Sequence, residues 1–219
     1  SLESSSSRLD DLKSVYLSTL KVIWKPTLSA FLNFFITLAL FPGVIVSIPS
    51  SNRENLTLGD WLPVVLITIF NAGDCLGRFV LGFESKAPFK ALTERCHVVE
   101  NEEYAHGHKK LRYYDRLVWW PTLARIIFFP LFALCIIPSR PQPIINSDIL
   151  SCLMVLLFGL SNGFIHCANF TVAPTLVQSD EAKNATSLLL LIAIYSGLTL
   201  GAYFGLLVEK IFRLIDSGA

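Results

Sequence analysis

Three polar side chains interrupt an apolar run at a spacing that puts them on one side of a helix. In Phe70-Asn71-Ala72-Gly73-Asp74-Cys75-Leu76-Gly77-Arg78, Asn71, Asp74 and Arg78 fall at i, i+3 and i+7. An acid and a guanidinium side by side can accept from and donate to the hydroxyls of a polar solute. A charged side chain at the centre of a bilayer costs about 2.5–3.5 kcal/mol on insertion scales, so this stripe must face protein or water rather than lipid. Two readings stay open on spacing alone. Asp74 and Arg78 bind a solute, or they neutralise each other across one helical turn. Arg125 is a rival partner for Asp74, and Arg78 lies near enough to the inner surface to snorkel.

Other polar residues fall at a similar depth. With a rise of about 1.5 Å per residue, Asn71 lies roughly 17 Å from the outer end of its segment and Asp74 roughly 21 Å. On the same rise Arg125 and Asn162 lie roughly 20 Å deep and Ser196 roughly 18 Å. Four segments thus place polar groups in one layer, which predicts a hydrophilic cavity just inside the midplane, the level at which transporter sites occur. Ser161-Asn162-Gly163 with His166 adds a polar i, i+4 pair to the fourth segment. For His166 a helix–helix hydrogen bond outweighs a proton relay.

The elements that must carry these residues are long apolar stretches. The chain has 219 residues, 53% hydrophobic and only 16% charged, where a soluble domain carries about 25% charged. Mean hydropathy is +0.54. Five segments, roughly 26–48, 60–83, 117–138, 149–173 and 186–208, each exceed the about 20 residues that span a hydrocarbon core. Lipid cannot satisfy backbone N–H and C=O groups, so all five are expected to be helices. The fold class is all-α, a polytopic transmembrane helix bundle. Pro26 suits a first helical turn and Asp60 an N-cap. Trp24, Trp61, Trp119 and Trp120 fall at segment edges, where an aromatic belt belongs. Residues 1–9 hold five serines and read as unstructured, and 10–25 as an amphipathic helix on the cytoplasmic side, either lying in the membrane interface or serving as an ordinary linker.

Twelve of the 18 Lys and Arg fall on the side of the N-terminus, four on the other side and two inside helices. The N-terminal side is therefore expected to be cytoplasmic, with loop 84–116 also inside and the tail 209–219 outside. Of three Asn-x-Ser/Thr triplets, Asn55 falls outside, Asn169 in the membrane and Asn184 inside, which leaves Asn55 as the glycosylation candidate. Net charge of +1 implies no nucleic-acid partner.

Small residues predict where helices touch. Gly73 and Gly77 form a small-xxx-small pair beside the polar stripe, and Gly197, Gly201 and Gly205 form a ridge on the last segment. Phe41-Pro42-Gly43 should kink or end the first. The five cysteines lack metal or disulfide spacing. His97, His106 and His108 sit in a solvated charged loop, and no metal site is expected there. No motif for a hydrolase, kinase or metalloprotease is present, so neither an enzyme nor a cofactor is expected.

Phe70-Asn71-x-x-Asp74-x-x-Gly77-Arg78 is similar to the eighth-span signature of equilibrative nucleoside transporters. Phe41-Pro42 resembles their seventh span, and Leu123-Ala124-Arg125 with Phe129-Pro130 their ninth. Ser161-Asn162-Gly163 resembles their tenth span, and Leu198-Thr199-Leu200-Gly201-Ala202 their eleventh. The matches occur in order over about residues 20–210. The resemblance implies a major-facilitator-like bundle, five spans of eleven, moving nucleosides or nucleobases through a central cavity without a cofactor. It implies that Arg78 donates to the nucleoside, that Asp74 accepts from it or positions Arg78, that Asn71 lines the cavity and that Leu198 touches base or ribose. Arg125, Asn162, His166 and Ser196 are further candidates for the cavity wall. Residue 1 is Ser and the only methionine is Met154, so the chain reads as a piece of a longer protein. The partners then expected are a nucleoside, the bilayer, most simply the plasma membrane, and a six-span N-terminal half. The rival reading is a non-transporting membrane fragment that only associates with other helices.

Overall fold

The computed structural model describes residues 2–51, 56–82, 114–137 and 143–217. Loop 84–113, with His97, His106 and His108, and the Asn55 triplet's asparagine lie outside the described residues. All regular structure among those described is helical: α1 (Leu2–Leu40), α2 (Gly43–Val46), α3 (Leu56–Gly82), α4 (Trp120–Ala124), α5 (Phe128–Ile136), α6 (Asp148–Val172) and α7 (Asp180–Ser217). Five stretches are long and apolar enough to cross a membrane: Asp11–Val46, Trp61–Phe79, Asp115–Ile136, Asp148–Leu176 and Asp180–Ile215. Large apolar side chains such as Val64, Leu76, Ile127, Ile192 and Leu206 lie on the outside, the inverse of a soluble surface. The chain is a multi-pass membrane protein.

The amphipathic N-terminal helix and the first span form one helix. The backbone is helical from Leu2, where the serine-rich opening reads as unstructured, because serine costs only a fraction of a kcal/mol in a helix already nucleated downstream, about 0.5. The two parts meet at a break at Ile23 (φ −101°, ψ 20°). Pro26 causes it, having no N–H to donate to the Val22 carbonyl one turn back. Pro26 therefore stands in the first turn after the break rather than at a free helix start. Lys25 Nζ grips both oxygens of Asp115 at 2.8 Å and so joins the break to the third span. Pro42 ends α1, and α2 is a single further turn. The second span starts at Leu56, which leaves Asp60 inside the helix instead of capping it.

The third span is less regular than its apolar run suggests. Asp115–Trp119 is a π-turn and Arg125–Ile127 a tight 3-10 turn. Pro121 and Pro130 lack the donors for the Leu117 and Ile126 carbonyls, so neither turn can keep α-helical bonding throughout.

Two helix pairs build the bundle: α1 lies along α7, and α3 along α6. The ridge of Gly197, Gly201 and Gly205 admits α1. A methyl group at Gly201 would stand 2.6 Å from the Phe35 carbonyl oxygen. In the other pair, Gly73 and Gly77 face Leu156, Leu160 and Phe164 of α6. Gly159 and Gly163 of α6 face the Phe70 and Asp74 backbones in return. The second glycine pair has the same spacing as the first, and the contact is backbone on backbone. One apolar core, with Leu40, Leu66, Phe132, Val155 and Phe158, fills the half toward the α3 start. A smaller one, with Ala30, Leu190 and Ile194, lies between α1 and α7.

Candidate functional site

Asp74 sits where α3 crosses α6. The close approach at Gly163 carries the preceding residue, Asn162, within reach of it. Asn162 Nδ2 donates to Asp74 Oδ1 at 2.6 Å. Arg78 donates to Asp74 Oδ2 through Nε at 3.0 Å and Nη2 at 2.7 Å. The pair is half open: the Asp74 side chain is 17% exposed and that of Arg78 47%. One carboxylate oxygen is thus fixed from inside the bundle, while the guanidinium on the other faces outward.

Behind Asp74 the network continues inward. Asn162 Oδ1 accepts from Asn33 Nδ2 at 3.0 Å and lies 2.8 Å from Thr37 Oγ1. The Thr37 hydroxyl, which can donate to Asn162 or to the Asn33 carbonyl, accepts from Arg125 Nη2 at 2.8 Å. Arg125 Nη1 donates to the Phe158 carbonyl at 2.9 Å and to Ser161 Oγ. Its guanidinium carbon lies 4.4 Å from the centre of the Phe158 ring, a cation–π contact. Asp74 and Arg125 are therefore coupled through two intermediaries and do not bond directly. A second buried set joins Tyr114 Oη to Asn169 Oδ1, Asn169 Nδ2 to Ser29, and Ser29 to Thr122.

The layer expected from depth is a packed seam rather than a cavity wall along its whole length. Arg125 is 1% exposed and Asn162 3%, so both stand behind the open face and do not line it. The reason is that the Arg125 side chain turns inward between α1 and α6, where Thr37, Phe158 and Ser161 enclose it, and Asn162 points into the same seam. Asn71 is exposed on α3 and donates to the Ile67 carbonyl at 2.9 Å. Ser196 is exposed and donates to the Ile192 carbonyl at 2.8 Å, so the structure does not bring it to Asp74. Leu198 is half-buried and packs with Phe31, Phe34 and Phe170 on the smaller core. His166, one turn beyond Asn162, is half-buried. Asn169, in the membrane triplet, is buried with both amide atoms engaged. No group of three or more His, Cys, Asp or Glu arranged to hold a metal occurs among the described residues.

Sequence reasoning missed Asn33 and Thr37, which join α1 to the seam. Their i, i+4 spacing in an apolar run is the same signal that picks out Asn162 and His166. It also missed Gly159 as the partner of Gly163.

Burial separates the two arginines by role. Arg125→Ala in the full-length protein should lower stability by about 3 kcal/mol, since it opens a hole in the core and removes three charge-assisted bonds. Arg78→Ala should change stability by no more than about 1 kcal/mol, as expected of a half-exposed pair. Thermal unfolding in detergent reads the difference, and equal shifts for the two variants would contradict it.

A helical bundle with an acid and an amide joined where two spans cross, and a guanidinium one turn further along, defines a class: a polytopic membrane protein with a polar site between its helices. The nucleoside transporter family model matches residues 110–210. The chain is 28% identical to equilibrative nucleoside transporter 4 of Danio rerio over 83% of its own length and 29% of the relative's. Over the same share of this chain and 28% of the relative, it is 28% identical to the protein of that name in Homo sapiens. It is 30% identical to equilibrative nucleotide transporter 1 of Arabidopsis thaliana over 76% of this chain and 30% of the relative. Over most of its length the chain is thus similar to proteins named equilibrative nucleoside or nucleotide transporters. It spans a little under a third of the length of these relatives.

Proposed function

We propose that the complete protein carries nucleosides or nucleobases down their gradient by alternating access, and that this chain supplies one wall of the substrate site. The observation that carries this reading is the Asp74–Arg78 pair. Asn162 holds the acid from the bundle interior, which pre-organises it, while the guanidinium stays half open and can exchange its bond for a ribose hydroxyl. Arg78 donates to the sugar and Asp74 accepts from it; Asn71 lies one turn away on the exposed face, and Leu198 borders the base. The opposite wall comes from spans outside this chain, which the greater length of the relatives leaves room for. On the charge distribution, the α1 start faces the cytoplasm and the α7 end the exterior, in the plasma membrane. The names of the relatives and the absence of any recognisable catalytic motif favour transport over chemistry.

Cys75 provides the test, being exposed beside Asp74. In the full-length protein with its other cysteines replaced by serine, a thiol reagent should label Cys75 several-fold more slowly when uridine or adenosine is present. Radiolabelled uridine uptake by the same cells establishes that the protein is active. Active protein whose Cys75 labelling ignores saturating nucleoside would remove this face of α3 from the site.

A further inference from the structure

The Asp74–Arg78 pair suits a sugar, which leaves the flat base of a nucleoside without a partner on this chain. His166 stands one helical turn beyond Asn162, whose amide donates to Asp74, on the same face of α6. Its ring meets the edge of Phe34 at 5.2 Å and 89°, and of Phe170 at 5.2 Å and 60°. Phe34 and Phe170 are half-buried and, with Leu198, border the same apolar cluster. His166 makes no hydrogen bond among the described residues, and Nδ1 is buried without a partner. Buried polar atoms are almost always satisfied; Nδ1 has no open surface as it stands, but the ring is only half-buried, so a turn of the imidazole lets a bound molecule complete its bonding. An aromatic surface with one polar edge suits a nucleobase, whose faces are apolar and whose rim carries donors and acceptors.

We infer that His166 is a specificity-determining residue that hydrogen-bonds the edge of the base, with Phe34, Phe170 and Leu198 as the apolar shelf beside it. This rests on the reading of Asp74 and Arg78 as the sugar site. A structural role for His166, caged only to fill space between two phenyl rings, predicts equal effects on every substrate. An edge contact predicts discrimination between bases that share one sugar.

The experiment compares uptake of inosine and of purine riboside by the full-length protein at concentrations far below saturation. The two share ribose and ring system, but purine riboside lacks the oxygen and imino proton at the edge of the six-membered ring. His166→Phe keeps an aromatic ring and removes the polar atoms. It should lower inosine uptake about two- to tenfold more than purine riboside uptake, the effect of one net hydrogen bond. His166→Gln, which retains a donor and an acceptor, should recover part of that ratio. Equal losses on both substrates, or an unchanged ratio in His166→Phe, would overturn the assignment. Arg78→Ala separates the two levels: it should reduce both substrates together. If it does so while His166→Phe leaves the ratio unchanged, only the base contact falls. If wild-type protein takes up neither of these two nor uridine, adenosine or a free nucleobase, the transport reading itself falls, and the base contact with it; if it takes up the others but neither of these two, the base contact alone falls.

Discussion

Arg78→Ala in the full-length protein is expected to lower uridine uptake at limiting concentration by about 10- to 100-fold at unchanged surface abundance. A charge-assisted hydrogen bond contributes about 1.5–3 kcal/mol, which corresponds to that range. Arg78 is the better probe of the pair because its side chain is half exposed and its removal leaves the inner seam intact. Asp74→Asn should lower uptake by at least as much, for a second reason. Asp74 accepts from Asn162 on one oxygen and from Arg78 on the other. An amide can accept on one side only, so either Asn162 or Arg78 must lose its partner. Arg78→Lys keeps the charge but not the paired N–H groups that meet Oδ2, and should recover uptake only partly. Initial-rate uptake normalised to surface biotinylation measures all three. Near wild-type rates in both Arg78→Ala and Asp74→Asn would leave the pair a structural neutralisation and nothing more.

Gly163→Leu should abolish accumulation of folded protein. A first side-chain carbon at Gly163 would fall onto the Asp74 carbonyl oxygen and stand 3.0 Å from the Arg78 backbone nitrogen. Neither neighbour is the end of a flexible side chain, so the only relief is separation of α3 from α6. Overpacking a tight contact costs about 1–3 kcal/mol even for small insertions, and leucine adds far more than a methyl group. Gly163→Ala should therefore already lower the melting temperature. Gly43→Ala is the matched control, since its added carbon would meet only the Glu209 side chain at an ordinary 3.5 Å. Fluorescence-detected size exclusion after graded heating ranks the three. Equal stability of Gly163→Ala and Gly43→Ala would contradict the backbone contact.

Much of the bundle was legible because membrane insertion imposes a length and a composition on each span. The stripe of Asn71, Asp74 and Arg78 stood out for the same reason, charges being conspicuous in an apolar run. Helical depth alone also placed Arg125 and Asn162 at the level of Asp74. Depth fixes height but not azimuth, so it could not show that Ser196 turns away or that Arg125 is walled inside by α1 and α6. The contribution of Asn33 and Thr37 stayed hidden because uncharged polar residues are common enough in spans to pass unnoticed. The break at Ile23 follows from Pro26 through a bond lost one turn upstream, which a reading of Pro26 as a helix start misses. The π-turn and 3-10 turn of the third span likewise arise from prolines in combination with packing, which periodicity does not carry.

The glycine seam has a mechanical consequence. The acid's own main chain is clasped by the helix that also delivers its amide partner, so the two cannot drift apart while that seam holds. If the complete protein opens alternately to either side, as proposed, this wall behaves as a stiff plate with its acid and amide already set. Displacement must come from the facing half or from weaker joints such as the turn at Pro42, and a solute would meet the same acid and amide at every stage of its crossing.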